Sequence, residues 1–188
     1  MENERQKFER PDEPFRPQTV KASNQDSVWR DLGMLGLKIA VIAVLVLLLF
    51  TFVYGLHYNS EPGMNPSVKD GDLVLYYRLG MDYEARDLVL VTFQGEKQVR
   101  RVIATGGDTV DITEQGLIIN GALQIEKEIY EETDCYMDGP DFPMTLGANE
   151  LFVLGDSREV ATDSRLYGTV DQEDTLGKVI TILRRRNF

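Results

Sequence analysis

Few side chains in this chain of 188 residues can serve as nucleophile, base or metal ligand. Cys135 is the one cysteine and His57 the one histidine. No intrachain disulfide can form, and a solitary thiol reads as incidental. A Cys/His pair, a Ser/His/Asp arrangement and a His-bearing zinc site each lack a part, because His57 falls at the end of a long apolar run. Two serines, Ser60 and Ser67, flank Gly63 in the stretch "NSEPGMNPSVKDGDLV" at residues 59–74. Serine chemistry needs a base to take the hydroxyl proton. Neither serine has a candidate base, since His57 reads as lying at the membrane interface, so both read as turn residues.

The elements that must position any site begin with residues 39–56, "IAVIAVLVLLLFTFVYGL", which hold no charged residue. At 1.5 Å per residue this run extends roughly 27 Å, the thickness of a bilayer's hydrocarbon core. Lys38 before it and Tyr54 and His57 at its far end suit the two interfaces of a transmembrane helix. A cleaved export signal fits less well, since 38 residues precede the run and "LHYNS" after it offers no small-x-small cleavage site. Arg5, Lys7, Arg10, Arg16, Lys21, Arg30 and Lys38 precede the run, and Lys69 is the only Lys or Arg in the next 15 residues. This asymmetry places the N-terminus in the cytoplasm and the rest outside the cell membrane.

The first 38 residues balance seven basic against seven acidic groups, so the net charge of −11 falls on the part after them. An overall pI near 4.6 and an acidic exported domain exclude nucleic acid as a partner, which needs a basic face. Residues 1–29 read as a disordered cytoplasmic tail, with mixed charge, three prolines and few aliphatic side chains. Residues 30–57 are the transmembrane helix with its flank, and residues 58–188 the exported domain. There, "DLVLYYRL" at 72–79, "DLVLVTF" at 87–93, "QVRRVIAT" at 98–105, "LFVLG" at 151–155 and "KVITIL" at 178–183 have the composition and length of strands. "EQG" at 114–116 and "NG" at 120–121 mark hairpin turns, so short connections favour antiparallel pairing. Residues 125–147 read as an irregular acidic excursion with one helical turn.

Taken together, residues 36–184 resemble a type I signal peptidase, the membrane-anchored serine protease that removes signal peptides from exported preproteins. "GMNPSVKDGDLVLYYRL" is similar to the family's Ser-Met-x-Pro-Thr-Leu segment with its following Gly-Asp. "ARDLVLVTF" and "VRRVIATGGDTVDI" are similar to its next two strands, "GLIINGALQ" to the hairpin after them, and "LFVLGDSREVATDSRLYGTV" to its Gly-Asp-Asn-Arg-x-x-Ser-x-Asp-Ser-Arg box. The resemblance implies a mainly β fold: a signal-peptidase-like antiparallel β-sheet domain with one N-terminal transmembrane helix.

It also implies a chemistry that these residues do not supply. The family uses a serine nucleophile and a lysine that accepts its proton as a neutral amine. Gly63 falls at the nucleophile position and has no side chain to attack with. Arg100 falls at the base position, and a guanidinium is not deprotonated in a protein. Ala161 replaces a supporting serine, and Glu61 stands where some relatives stabilise the oxyanion, which a carboxylate would repel. Met64, Pro66, Gly71, Asp72, Arg101, Gly155, Asp156, Asp163, Ser164 and Arg165 still match, with Asp163 and Arg165 implied as a structural ion pair. Arg100 in such a cleft should find a carboxylate, Glu61 or Asp163.

The resulting expectation is a non-catalytic member with no cofactor and no metal, anchored in the lipid bilayer. It would bind exported preproteins or pilin subunits as extended peptides and assist surface-protein or pilus assembly, a role the resemblance suggests through degenerate relatives. An active signal peptidase with a non-standard site is the rival expectation, and a regulator that sequesters signal peptides uncut is a third.

Overall fold

The structure, a computed structural model, describes residues 25–80, 82–127 and 129–184. The chain divides into two compact units between Val44 and Leu45. Helix α1, Gln25–Leu48, continues through a π-helical turn, Leu49–Val53. Val28–Val53 is long and apolar enough to cross a bilayer once, and its side chains, such as Trp29, Leu37 and Leu47, are exposed.

Both ends of this helix differ from the sequence expectation. It begins at Gln25, so residues 25–29 are helical rather than part of a tail; residues 1–24 lie outside the described part. It also stops at Val53, and Tyr54–Tyr58 form strand β1 although the apolar run continues to Leu56. Hydrophobicity does not change there, but the hydrogen-bond partner does: β1 pairs antiparallel with β2, Leu73–Tyr77, from Tyr54 opposite Tyr77 to Tyr58 opposite Leu73.

The rest is antiparallel sheet. After β2 come β3 (Leu88–Phe93), β4 (Glu96–Ala104), β5 (Thr109–Thr113), β6 (Gly116–Ile119), β7 (Ala122–Leu123), β8 (Met144–Thr145), β9 (Glu150–Leu154), the short helix α2 (Ser164–Tyr167), β10 (Val170–Asp171) and β11 (Gly177–Leu183). The larger sheet runs β1-β2-β11-β3-β4-β9-β10 and the smaller β7-β6-β5-β8. Two-residue turns set the tight hairpins. Gln94 and Gly95 join β3 to β4, and Asn120 and Gly121 join β6 to β7, all four at positive φ, the conformation that matches strand twist and favours Asn and Gly.

Three groups of buried apolar residues hold the sheets together. Met64, Val68, Val74, Tyr76, Leu90 and Val99 form one, and Val89, Val91, Val102, Leu151 and Val153 with Tyr83 another. A third, which includes Ala104, Val110, Ile112, Leu117 and Phe152, ties the smaller sheet to β4 and β9. Alternation along β3 sends Leu90 to the first group and its neighbours Val89 and Val91 to the second, as strand geometry requires.

No helix forms within residues 125–147 among the described residues; the one regular piece is β8. Side chains far away in sequence hold this stretch instead. Arg158, fully buried, donates to both Glu126 carboxylate oxygens at 2.6 and 2.9 Å, to the Gly155 carbonyl at 2.8 Å and to the Thr133 hydroxyl. Glu131 accepts from the Glu159 amide at 2.9 Å. Side-chain bonds from the loop after β9 thus anchor a stretch that has almost no strand pairing of its own.

Candidate functional site

The loop between β1 and β2, residues 59–72, carries Glu61, Gly63 and Met64. Its ends are clasped together: Asn59 and Asp72 share a backbone hydrogen bond of 2.9 Å, and the buried Asn59 amide donates to the carbonyls of Glu61 (2.8 Å) and Lys69 (3.1 Å). Met64 and Val68 are fully buried and pin the loop to the core. Pro66 is exposed. Opposite Gly63 lies the loop after β9, whose Ser157 amide donates to the Gly63 carbonyl at 3.0 Å.

Strand β4 supplies two arginines with opposite outlooks. Arg100 has no exposed side-chain surface. Its guanidinium is ion-paired with the Glu61 carboxylate, with Nη2 3.2 Å from Oε2 and Nη1 on Oε1. It also donates to the carbonyls of Thr162 (2.9 Å) and Val99 (2.6 Å) and to Gln98 Oε1 (3.0 Å). The expected partner is therefore Glu61, and Asp163 is engaged elsewhere. Arg101, the next residue, points to the other face of the strand and grips Asp156 with both ends of its fork, at 2.7 and 2.6 Å. Arg101 also donates to the Ser67 hydroxyl at 3.2 Å.

Asp163 and Arg165 form another two-pronged pair, 2.9 Å in each arm and buried on both sides. Asp163 also caps α2 by accepting from the Arg165 amide at 3.1 Å, and it accepts from the Gly155 amide at 3.0 Å. Burial alone would pull the Arg165 pKa down. The bonded carboxylate outweighs it and leaves the guanidinium pKa raised. Ser164 accepts from the Val153 amide at 2.9 Å, which fixes the helix start to β9.

Glu61, Gly63, Arg100 and Ala161 thus converge on one spot. A Cβ built on Gly63 would lie 2.8 Å from Glu61 Oε2 and 3.3 Å from both Cα and Cβ of Ala161. The volume that a side chain at 63 would need is filled by the carboxylate that neutralises Arg100. The Tyr167 hydroxyl, buried beside the Arg100 guanidinium, makes no well-formed hydrogen bond among the described residues, and burial raises its pKa against the opposing effect of Arg100.

His57, read from the sequence as an interfacial residue at the end of the apolar run, is half-buried in β1 opposite Val74. Its Nε2 is buried without a partner among the described residues. Burial and the charge of Lys97 lower its pKa, with Glu61 pulling the other way. His57 therefore lies within electrostatic reach of Glu61, where the motifs placed no base. Pairing of β1 with β2, invisible in the apolar run, is what turns His57 inward. Ser60 is exposed, Cys135 is exposed with its thiol pKa raised by burial of the sulfur and by Asp111 and Asp134, and no metal-ligating group of side chains occurs among the described residues.

The model of the signal peptidase family, peptidase S26, matches residues 32–183. The chain belongs to that family. Signal peptidase IB of Staphylococcus aureus (strain Mu50) is 28% identical over 162 residues, which cover 76% of this chain and 84% of that protein. Signal peptidase I P of Bacillus subtilis subsp. natto is 24% identical over 151 residues, 74% of this chain and 82% of that protein. Among solved structures, signal peptidase I from Enterococcus faecalis V583 is similar with a TM-score of 0.44 and 26% identity, over 53% of this chain and 97% of that one. Membership of this serine peptidase family, a mainly β domain of antiparallel sheets and one N-terminal apolar helix agree with one another. The positions set against the family motifs, from Glu61 to Arg165, all lie within the matched residues.

Proposed function

We propose that the chain is a membrane-anchored, non-catalytic signal peptidase relative. It would bind exported polypeptides in extended form, pilin subunits among them, and assist assembly of surface proteins or pili. The observation that carries this reading is the Glu61 to Arg100 ion pair beside a glycine. Gly63 at the family's serine position supplies no nucleophile, and a permanently charged Arg100 at its lysine position supplies no base. Ala161 and Glu61 complete the altered set, while Met64, Pro66, Arg101, Asp156, Asp163, Ser164 and Arg165 keep the surrounding framework. Recognition by added β-strand pairing uses backbone groups, so it survives these replacements. In this reading residues 1–29 are cytoplasmic, 30–57 contain the span, and 58–188 work on the outer side.

A second reading, an active signal peptidase with a non-standard site, draws on the unpartnered Nε2 of His57 and its lowered pKa. No hydroxyl among the described residues is hydrogen-bonded to that nitrogen, so a nucleophile for it is missing.

The test is a titration of the full chain in detergent micelles with a labelled preprotein or pilin segment, with binding followed by anisotropy and cleavage by gel. Saturable binding with the substrate intact is expected. Release of the signal peptide would overturn the non-catalytic reading. Unchanged surface pili in cells lacking the gene would remove the assembly role.

A further inference from the structure

A cavity of about 400 Å³ opens between β4, β6 and the stretch that follows β7, lined among others by Arg86, Arg101, Leu117, Glu126, Lys127 and Asp156. Its volume falls within the range of ligand sites. It differs from the Glu61 to Arg100 centre, because Arg101 and Arg100 are successive residues of β4 with opposite outlooks.

The charge of the cavity is unusual for this molecule. Both of its described carboxylates are already engaged: Asp156 by Arg101, and Glu126 by the buried Arg158. Arg86 and Lys127 have no ion-pair partner among the described residues. Two cations with no ion-pair partner among the described residues therefore sit in the wall of a cavity on a chain whose net charge is −11. The remaining wall includes Ile103, Leu117, Ile125 and Ile129, and Ile125 is 79% exposed as it stands. A cationic rim over apolar walls fits an anion carried on an apolar body.

The local backbone selects among such anions. Ile125 and Lys127 belong to no strand and make no backbone hydrogen bond among the described residues. Ile125 and Lys127 are exposed, so their peptide groups face water and are open to pairing with another peptide, whereas an alkyl chain offers them nothing. We propose that the cavity captures the free C-terminal carboxylate of a polypeptide ending in apolar residues. Arg86 and Lys127 hold the carboxylate, and the isoleucine and leucine walls take the last side chains. This site stands whether or not the Glu61 to Arg100 centre is catalytic.

The experiment uses the full chain in detergent micelles and an N-terminally fluorescein-labelled peptide ending Leu-Val-Leu, with either a free carboxylate or a terminal amide. The acid should bind, and the amide should bind about tenfold more weakly through loss of the charge-assisted contacts. Arg86→Ala and Lys127→Ala should each weaken the acid about fivefold or more without shifting the melting temperature. Equal affinity for acid and amide, full affinity in both variants, or no binding of the acid up to about 1 mM would each overturn the proposal. Octanoate serves as the competitor. Displacement of the peptide at octanoate concentrations below the peptide's own Kd would overturn the polypeptide assignment and make this a fatty-carboxylate site.

Discussion

Glu61 Oε2 lies 2.8 Å from the point where a Cβ at Gly63 would stand. The carboxylate is not free to swing aside, because both its oxygens bond the buried Arg100. Glycine at 63 and glutamate at 61 are therefore a matched pair. Gly63→Ser should destabilise the domain by about 1–3 kcal/mol through overpacking, read as a lower urea midpoint. The same change should cost much less on a Glu61→Ala background, since the obstructing group is then gone. Additive costs in that double-mutant cycle would show that the two positions are independent.

Removing the carboxylate alone leaves a fully buried guanidinium with only carbonyl and amide oxygens around it. Glu61→Ala is expected to cost about 3 kcal/mol, the low end for breaking a buried pair, because Glu61 keeps some contact with water. Glu61→Ala with Arg100→Met should recover most of that loss, since no buried charge remains. A double variant less stable than Glu61→Ala would contradict this.

The Asp163 to Arg165 pair makes a stronger demand, being buried on both sides. Asp163→Asn should cost about 3–5 kcal/mol, because it removes the charge from a carboxylate that also serves the Gly155 amide and caps α2. Arg165→Lys should not be a mild change, since an ammonium cannot fill both arms of the fork. Equal stability of the lysine variant and the natural protein, measured by denaturant unfolding, would refute the geometric reading.

Tyr167 offers the opposite case. Its buried hydroxyl makes no well-formed hydrogen bond among the described residues and meets only the Arg100 guanidinium, whose donors already serve other acceptors, so Tyr167→Phe should change stability by no more than about 1 kcal/mol. A loss above that size would reveal a partner for the hydroxyl.

His57 should give the fold a mild acid sensitivity. Its folded pKa lies below the ordinary 6.5, with burial the leading cause. Between the two values the unfolded chain binds more protons, so this contribution is fully present above pH 6.5 and is lost as pH falls toward the folded value. His57→Gln should flatten the melting-temperature profile between about pH 7.5 and 5 relative to the natural chain. An unchanged profile would mean that the imidazole is better solvated than its position in β1 indicates.

Much of the sheet was legible in the sequence. The β-branched runs behind β2, β3, β4, β9 and β11, and the Asn120 and Gly121 turn, carry local signals that packing then confirms. Strand β1 was not legible, because Tyr54–Tyr58 continue an apolar run and only the pairing with Leu73–Tyr77 distinguishes strand from helix. The order within residues 125–147 was hidden for a related reason. Arg158 and Glu126 are 32 positions apart, and no local pattern announces their bond. The partnership of Arg100 with Glu61 was legible, since a buried guanidinium needs a carboxylate and the motifs bring few within range. The crowding of Gly63 by that carboxylate was not, as it depends on where two oxygen atoms sit.

The most direct measurement follows a signal-peptide-bearing preprotein by mass spectrometry after incubation with two proteins in detergent. One is the natural chain, and the other carries Glu61→Ser, Gly63→Ser, Arg100→Lys and Ala161→Ser, with Glu61 included so that the new serine has room. Intact preprotein with the natural chain and cleavage at the signal junction by the fourfold variant are expected. Cleavage at that junction by the natural chain would contradict the assignment of Gly63 and Arg100 as a silenced centre.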